Sequence, residues 1–437
     1  MHTRIPPFLK PLLENHPVAV LGAGVSGRAV CDLLTRLNAT FTLYDENNPS
    51  SSDFSPSAFN LVIFSPGFPP GHPWLAAARA AGCVCLGEVD FASLFWRGSL
   101  LAITGTNGKT TLTEFLTHAL RHIGRDVTAT GNIGSPLSHL VAERGGGGPE
   151  SIAVCEISSF QAETLNHLRA DSAIWTNFAE DHLERHPTIE EYFHAKWRLF
   201  ERCIGGHVYA GTSVQVWADR LGQTLPTDAR IPTEDQPGDI LLRGTPFADY
   251  PQRENFLLAA AWWHGQGLRE GALYAAARTF TLADHRLQKI ATTPGNAEPQ
   301  LGSVTWWNDS KATNFHAVEA ALNAFTSPVI VILGGKPKGG DIPAFVRRIT
   351  PKVRHALLIG ETGPVLAAAA RDAGLAHTHS VTLDQAVTDA AALARPGEHV
   401  LLSPGFASFD QFRGYADRGL RFVQFVNKLG ATPVSTT

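Results

Sequence analysis

One pattern recurs along this chain: a short apolar or β-branched run, a glycine-rich or polar turn, then a stretch of helical periodicity. Strands alternating with helices in this way build parallel α/β sheets. The pattern falls into three blocks, residues 1–98, 99–283 and 284–437. At roughly 100–200 residues per domain, a chain of this length has room for two to four domains. In the first block strands are expected at Val18–Leu21, Phe41–Tyr44 and Leu61–Phe64, the last ending in the turn Ser65-Pro66-Gly67. In the second they are expected at Leu100–Thr104, Ile152–Cys155, Ala173–Thr176 and Val208–Ala210. Gly145–Gly148 with Pro149 reads as a loop inside that block, and residues 211–250 read as loops and short strands. In the third, strands are expected at Val304–Asn308, Val329–Leu333, Ala356–Ile359 and Val400–Leu402, with a turn across Thr292–Gln300 near the start.

In open α/β sheets ligands bind outside the carboxyl ends of the strands, so the residues just after each strand are the ones to search. Gly22-Ala23-Gly24-Val25-Ser26-Gly27 follows the first strand and opens a helix, and Asp45 follows the second strand. Glycines there let backbone amides approach a diphosphate at a helix N-terminus, although a bare tight turn uses the same residues. Taken alone this suggests a nicotinamide dinucleotide; the physics fixes only the diphosphate.

Gly105-Thr106-Asn107-Gly108-Lys109-Thr110 follows the strand Leu100–Thr104 and opens a helix. It is a shortened phosphate loop, with Ile103 where the longer pattern has a glycine. Backbone amides would cradle phosphates, Lys109 would reach the terminal ones, and the Thr110 hydroxyl could ligate magnesium. Glu156, at the end of Ile152–Cys155, is placed to hold magnesium; a helix-start acid favoured by the macrodipole is the plainer reading. Thr176-Asn177 and Asp181-His182 follow a third strand of the same block. Lys196 looks like an ordinary helix lysine. In the third block Asn308–Asn314, Gly334–Lys338 and Ser403–Ser408 close three strands with polar, glycine and lysine residues, which suggests a second anion-binding edge.

Composition excludes several classes. The formal net charge is −4, which does not suit coating nucleic acid. The five cysteines, Cys31, Cys83, Cys85, Cys155 and Cys203, form no disulfide framework and read as buried thiols of a reducing cytosol. No apolar run approaches the roughly 18 residues of a membrane span, and the N-terminus has no signal-peptide core. A cytoplasmic location is expected.

The set of motifs closely resembles the Mur ligase family, through all three blocks. GTNGKTT at 105–111, TNFAEDHLERH at 176–186, HR at 285–286 and NDSKATN at 308–314 are similar to its signatures. The N-terminal glycine motif, Asn107, DSKATN and SPGFASFDQF at 403–412 favour the family's D-glutamate-adding branch. The fold this implies is α/β in three domains: Rossmann-like, P-loop ATPase-like, then Rossmann-like. The activity implied is ATP-dependent joining of D-glutamate to UDP-N-acetylmuramoyl-L-alanine through an acyl phosphate, by a monomer needing magnesium.

The resemblance also implies roles. Val25, Ser26, Asp45 and Gly67 would bind the UDP group, replacing the dinucleotide reading. Asn132 and His182 would face the muramoyl substrate. ATP would meet Gly105, Thr106, Asn107, Gly108, Lys109, Thr110 and Thr111 at its phosphates, with Arg286, and Asn255, Asp309 and Lys311 around the adenosine. Thr110 and Glu156 would serve one magnesium, His182 and Lys196 a second. Lys109, His182 and Lys196 would be catalytic. Thr313, Lys338, Ser408 and Tyr415 would line the D-glutamate pocket. An ammonium cannot ligate magnesium, so Lys196 would carry a carbamate derived from carbon dioxide, an oxygen ligand that suits a hard metal. Two positions depart from the family pattern: Pro251-Gln252 stands for a His-Asn pair before Asn255, and Tyr415 for a phenylalanine. A dehydrogenase would explain the first block alone and a nucleotide switch the phosphate loop alone; only a ligase uses all three.

Overall fold

The computed structural model describes residues 5–46, 54–232, 239–294 and 303–433. The chain divides into two compact units, the first formed by Met1–Phe178, Glu190–Ala248 and Gln252–Phe280. The second is formed by Ala179–Ile189, Asp249–Pro251 and Thr281–Thr437.

The first unit holds two parallel sheets. One contains β1 (Val18–Leu21), β2 (Phe41–Tyr44), β3 (Leu61–Phe64) and β4 (Val84–Gly87), in the order β2-β1-β3-β4. The expected strands are present with the same bounds; β4 was not anticipated. The other sheet contains β5 (Ser99–Thr104), β6 (Val127–Gly131), β7 (Ile152–Glu156), β8 (Ala170–Trp175) and β9 (Cys203–Ala210), in the order β6-β7-β5-β8-β9. Here β6 was missed, because Val127-Thr128-Ala129-Thr130 lacks the apolar density of its neighbours. The strands β5 and β7 are buried on both faces, as parallel strands between helical layers must be.

Two buried acids tie these layers. The Asp90 carboxylate accepts the backbone N–H groups of Asn166, His167 and Leu168 at 3.0, 2.8 and 2.8 Å. Glu88 accepts the N–H of Ser138, two residues into the helix Leu137–Arg144, and so meets the positive end of its dipole. Gly145–Gly148 indeed forms the loop after that helix, with Gly145 left-handed as its C-cap.

Residues 211–250 correct the expectation of loops and short strands only in part: 221–232 and 243–250 are mostly loop, as expected. A helix spans Thr212–Arg220 and a turn of 3-10 helix spans Ile240–Leu242, while 233–238 lie outside the described residues. Val214 and Ala218, one turn apart, are the buried residues of this helix, a short pattern that the polar residues around it hide.

The second unit is built on one mixed sheet. It contains β10 (Gln288–Pro294), β11 (Ser303–Asn308), β12 (Val329–Gly334), β13 (Val353–Ile359), β14 (His377–Val381), β15 (His399–Leu402) and β16 (Thr432–Pro433). The order is β14-β13-β12-β15-β11-β10-β16, with β10 antiparallel to both β11 and β16. The turn expected across Thr292–Gln300 is therefore corrected: Thr292–Pro294 complete β10, and 295–300 lie outside the described residues. A proline at the end of such a strand is tolerated because its missing donor falls at the periphery. The core lies on both faces of β12, whose residues are all buried.

The thiols also need one correction. Cys83 and Cys155 are buried, but Cys31, Cys85 and Cys203 are half-buried.

Candidate active site

In the first sheet, β1, β2 and β3 bring their carboxyl ends side by side. The Ala23 N–H of the glycine turn donates to Asp45 Oδ2 at 2.7 Å. Val25, 64% exposed, and Ser26 open the helix Val25–Arg36, and Gly67 lies in the exposed turn beyond β3. Gly27 cannot be replaced cheaply, since a Cβ there would meet the Gly22 carbonyl oxygen at 1.7 Å.

At the carboxyl end of β5 the chain folds into the phosphate loop. Gly105 (φ +152°) and Gly108 (φ +81°) take backbone conformations that favour glycine. Both are also crowded: a Cβ would reach Thr176 Oγ1 at 1.8 Å from Gly105, and Asn255 Oδ1 at 2.5 Å from Gly108. Asn255 is thus packed on the loop, and its side-chain amide donates to Gln252 Oε1 at 2.8 Å. Gln252 occupies one of the two positions that depart from the family pattern. The loop is pinned from β8's exit as well. Thr106 N–H donates to the Asn177 carbonyl and Asn107 N–H to Asn177 Oδ1, both at 2.9 Å, while Thr176 Oγ1 donates to the Asn107 carbonyl at 2.6 Å.

Lys109 folds back on its own loop, Nζ donating to the carbonyls of Gly105 (2.8 Å) and Thr106 (3.0 Å). Lys196, on the helix Ile189–Glu201, reaches the same Gly105 carbonyl at 2.8 Å and sits 4.8 Å from the Tyr192 ring centroid. It is 1% exposed, so the expectation of an ordinary helix lysine fails: its face points into the protein. Two amines sharing one carbonyl oxygen repel when both are charged.

One strand away, Glu156 pairs in register with Ile103 of β5. Its Oε1 accepts from Asn132 Nδ2 at 2.8 Å, and the Asn132 N–H donates to the Glu156 carbonyl at 2.9 Å. Its other oxygen, Oε2, is buried without a hydrogen-bond partner. Thr111, read as a phosphate contact, is 1% exposed and its hydroxyl also lacks a partner.

The second unit carries its own cluster. His182, with φ +57°, sits in left-handed backbone that a non-glycine residue rarely adopts. Its N–H donates to Asp181 Oδ1 at 2.9 Å and its Nδ1 lies 3.1 Å from Glu184 Oε1. Asp181 is in turn held by Asn314 Nδ2 at 2.9 Å and by Lys338 Nζ at 3.8 Å, and Lys338 donates to Thr313 Oγ1 at 3.5 Å. Asp181, His182, Thr313, Asn314 and Lys338 line one small cleft, with Phe315 and Phe406 in its wall. Thr313 and Lys338 are therefore brought together, with His182 beside them.

Asp309 lies at the end of β11, accepting from Leu287 N–H at 3.0 Å and from Ser403 Oγ at 2.8 Å. Burial pushes its carboxyl up to about 7, against those bonds and the charge of Arg286. Lys311 Nζ stands 3.9 Å from the Tyr415 ring centroid, a cation–π contact. Ser408 is buried and its carbonyl accepts the N–H groups of Gln411 and Phe412; Tyr415, 37% exposed, opens the helix Tyr415–Lys428.

Arg418 organises these last loops and was missed from sequence. It is 0% exposed and donates to Ser310 Oγ (3.0 Å), the Ser310 carbonyl (2.9 Å) and the Phe406 carbonyl (3.2 Å). Burial lowers its guanidinium to about 10, offset by Asp410 and Asp309. No motif announces it: in Tyr415–Lys428 it looks like one more charged residue of an amphipathic helix. Asp181 was noticed in its motif but given no role, because its partners lie far along the chain.

A phosphate loop on a parallel sheet, with a buried carboxylate one strand away, defines a nucleotide-dependent enzyme. Comparison with known proteins makes this specific. The Mur ligase middle domain matches residues 103–221, and the Mur ligase glutamate ligase domain matches residues 285–406. A UDP-N-acetylmuramoylalanine--D-glutamate ligase of Solibacter usitatus is 35% identical, over 95% of this chain and 99% of its own length. One from Synechococcus sp. is 36% identical, over 83% of each. Among solved structures, the MurF ligase of Thermotoga maritima in complex with ADP superposes with a TM-score of 0.56 at 14% identity, covering 98% of both chains, which shows the shared fold. The chain belongs to the Mur ligase family. It is an ATP-dependent ligase.

Proposed function

We propose that this chain joins D-glutamate to UDP-N-acetylmuramoyl-L-alanine at the expense of ATP, in cytoplasmic peptidoglycan precursor synthesis. The observation that carries the chemistry is the phosphate loop with Lys109 folded onto it, one strand from the half-bonded Glu156 carboxylate. The substrates follow from the relatives, which match the chain almost end to end and carry that activity in their name.

The L-alanyl carboxylate oxygen attacks the γ-phosphorus of ATP, the bond to the β–γ bridging oxygen breaks, and ADP leaves. The product is an acyl phosphate. The D-glutamate amine then attacks its carbonyl carbon, phosphate leaves with the C–O electron pair, and the amine loses a proton as the amide forms. Lys109 exchanges its bonds to the loop carbonyls for the γ-phosphate, neutralising the crowded charge. Gly105, Thr106, Asn107, Gly108, Thr110 and Thr111 hold the phosphates, with Arg286. Asn255, Asp309 and Lys311 meet the adenosine. Val25, Ser26, Asp45 and Gly67 bind the UDP group, and Asn132 and His182 the muramoyl end. Thr313, Lys338, Ser408 and Tyr415 bind D-glutamate, the Lys338 ammonium suiting a carboxylate.

The residues present fit magnesium. Among the described residues no three His, Cys, Asp or Glu side chains gather as a metal cage. Magnesium rarely uses one, taking one or two carboxylates and phosphate oxygens instead, and a buried carboxylate oxygen without a partner suits that demand. Thr110 and Glu156 would hold one ion, His182 and Lys196 a second. When bound, magnesium supplies charge neutralisation at the transferring phosphoryl group. The neutral amine of Lys196 is the form that would add carbon dioxide, giving a carbamate and a proton.

Hydroxylamine in place of D-glutamate tests the intermediate. With ATP and UDP-N-acetylmuramoyl-L-alanine it should yield the substrate hydroxamate with matching phosphate release. Phosphate release that continues without any hydroxamate would rule out a free acyl phosphate.

A further inference from the structure

Glu88 opens the helix Glu88–Ser93 directly after β4, so it stands at the carboxyl end of the first sheet. It is 1% exposed, and its Oε1 accepts the Ser138 N–H at 2.8 Å. Ser138 lies in the first turn of the helix Leu137–Arg144, where N–H groups find no partner inside the helix. Pro136, at the N-cap, supplies no side-chain bond, so Glu88 caps this helix from another element. The helix Val25–Arg36, opened by the glycine turn, packs on the same helix.

The turn before that helix is short and closed. The Gly131 N–H and Thr130 Oγ1 both donate to the Ser135 carbonyl, at 3.2 and 2.9 Å. Asn132 lies within this turn, its backbone and its side chain both bonded to Glu156. The turn is therefore held at the ends of β6 and β7 and, through Ser138, from the exit of β4 in the first sheet. Burial pushes the Glu88 carboxyl up, and its Oε2 has no partner. What Glu88 contributes is thus an acceptor in a fixed place rather than a charge.

We propose that Glu88 is a positioning residue for the ligase reaction, resting on the roles proposed for Val25, Ser26, Asn132 and Glu156. The UDP substrate is long: its nucleotide end meets the first sheet, and its alanyl end has to reach the phosphate loop of the central sheet. Glu88 fixes the Asn132 turn, and with it Glu156, at a set distance from the first sheet. Binding energy from the UDP end then places the alanyl carboxylate against the γ-phosphate.

Two measurements on the full-length enzyme separate placement from binding, each made below the melting temperature of the variant. Phosphate release with UDP-N-acetylmuramoyl-L-alanine, ATP and D-glutamate at saturation gives kcat. Calorimetric titration with UDP alone reads the nucleotide end by itself. Glu88→Met keeps the volume and removes the acceptor; kcat should fall about tenfold or more, as a misplacement of about 1 Å can cost ~100-fold, with the UDP dissociation constant within about twofold of wild type. Glu88→Gln keeps an oxygen for the Ser138 N–H and should retain kcat. An acid with a structural role alone gives another pattern, a lower melting temperature in Glu88→Met with kcat unchanged, which would overturn the proposal. So would a kcat in Glu88→Gln as low as in Glu88→Met, or a loss of UDP affinity that matches the loss of kcat. Should Glu88→Met not fold, Glu88→Gln decides alone, since a fall in its kcat refutes the acceptor role. A wild type that releases no phosphate with the UDP substrate would overturn the assigned reaction, and this inference with it.

Discussion

Glu156→Gln should move stability and activity in opposite directions. The wild-type carboxylate is 2% exposed, with Oε1 bonded to Asn132 Nδ2 and Oε2 bonded to nothing. A buried polar atom without a partner costs about 1–3 kcal/mol, and more when it carries charge. Glutamine has the same shape, keeps its oxygen for Asn132 and removes the charge. Without metal, the variant should therefore gain at least about 1 kcal/mol. For a unit of this size that raises the melting temperature by about 2–4 °C. Magnesium with nucleotide should reverse the order. At roughly 100 times its dissociation constant, a ligand stabilises the wild type by about 2.7 kcal/mol, and the variant should gain little of this. Calorimetry with and without magnesium nucleotide reads both effects, and phosphate release should fall at least about 100-fold, the loss of one transition-state charge contact. A variant no more stable than wild type without metal, yet fully active, would show that Glu156 is a structural acid.

Three further outcomes follow from the same geometry. Lys196→Ala should lose activity, and a short carboxylic acid should restore part of it by supplying the missing oxygen ligand; full activity in the unsupplemented variant removes the carbamate. Lys338→Met should raise KM for D-glutamate about tenfold or more, the equivalent of one charged hydrogen bond, with KM for ATP unchanged in initial-rate kinetics; an effect on ATP alone would move Lys338 out of the glutamate pocket. Burial holds the Asp309 carboxyl up at about 7, whereas an unfolded aspartate titrates near ~4. Its proton therefore stabilises the fold fully below ~4, and this contribution is lost as pH rises through about 7. Asp309→Asn should flatten the fall in melting temperature over that range; an unchanged slope would show that the carboxyl is not held protonated.

What was legible in the sequence follows from how densely each element states itself. The phosphate loop could be read because strand, glycines, lysine and hydroxyl are contiguous, so local chemistry alone defines it. Strands β1, β3, β5, β7 and β12 were visible because both faces are buried and the run is apolar throughout. Strands β6, β10 and β14 were not: they mix threonine, histidine and lysine, so no continuous apolar run marks them. Lys196 shows the limit of local reading. Its helix alternates charged and aromatic residues, and only tertiary packing decides that Tyr192, Phe193 and Lys196 face inward together. Arg418 and the Asp181–Asn314–Lys338 cluster depend on contacts across more than 100 residues of chain, which no spacing encodes.

The most direct test of the central claim is phosphate release from ATP by the purified chain with UDP-N-acetylmuramoyl-L-alanine and each glutamate enantiomer in turn. Release should require the UDP substrate, rise with D-glutamate, match the amide formed mole for mole, and stay at background with L-glutamate. Equal rates with the two enantiomers, or release that ignores the UDP substrate, would contradict the assignment.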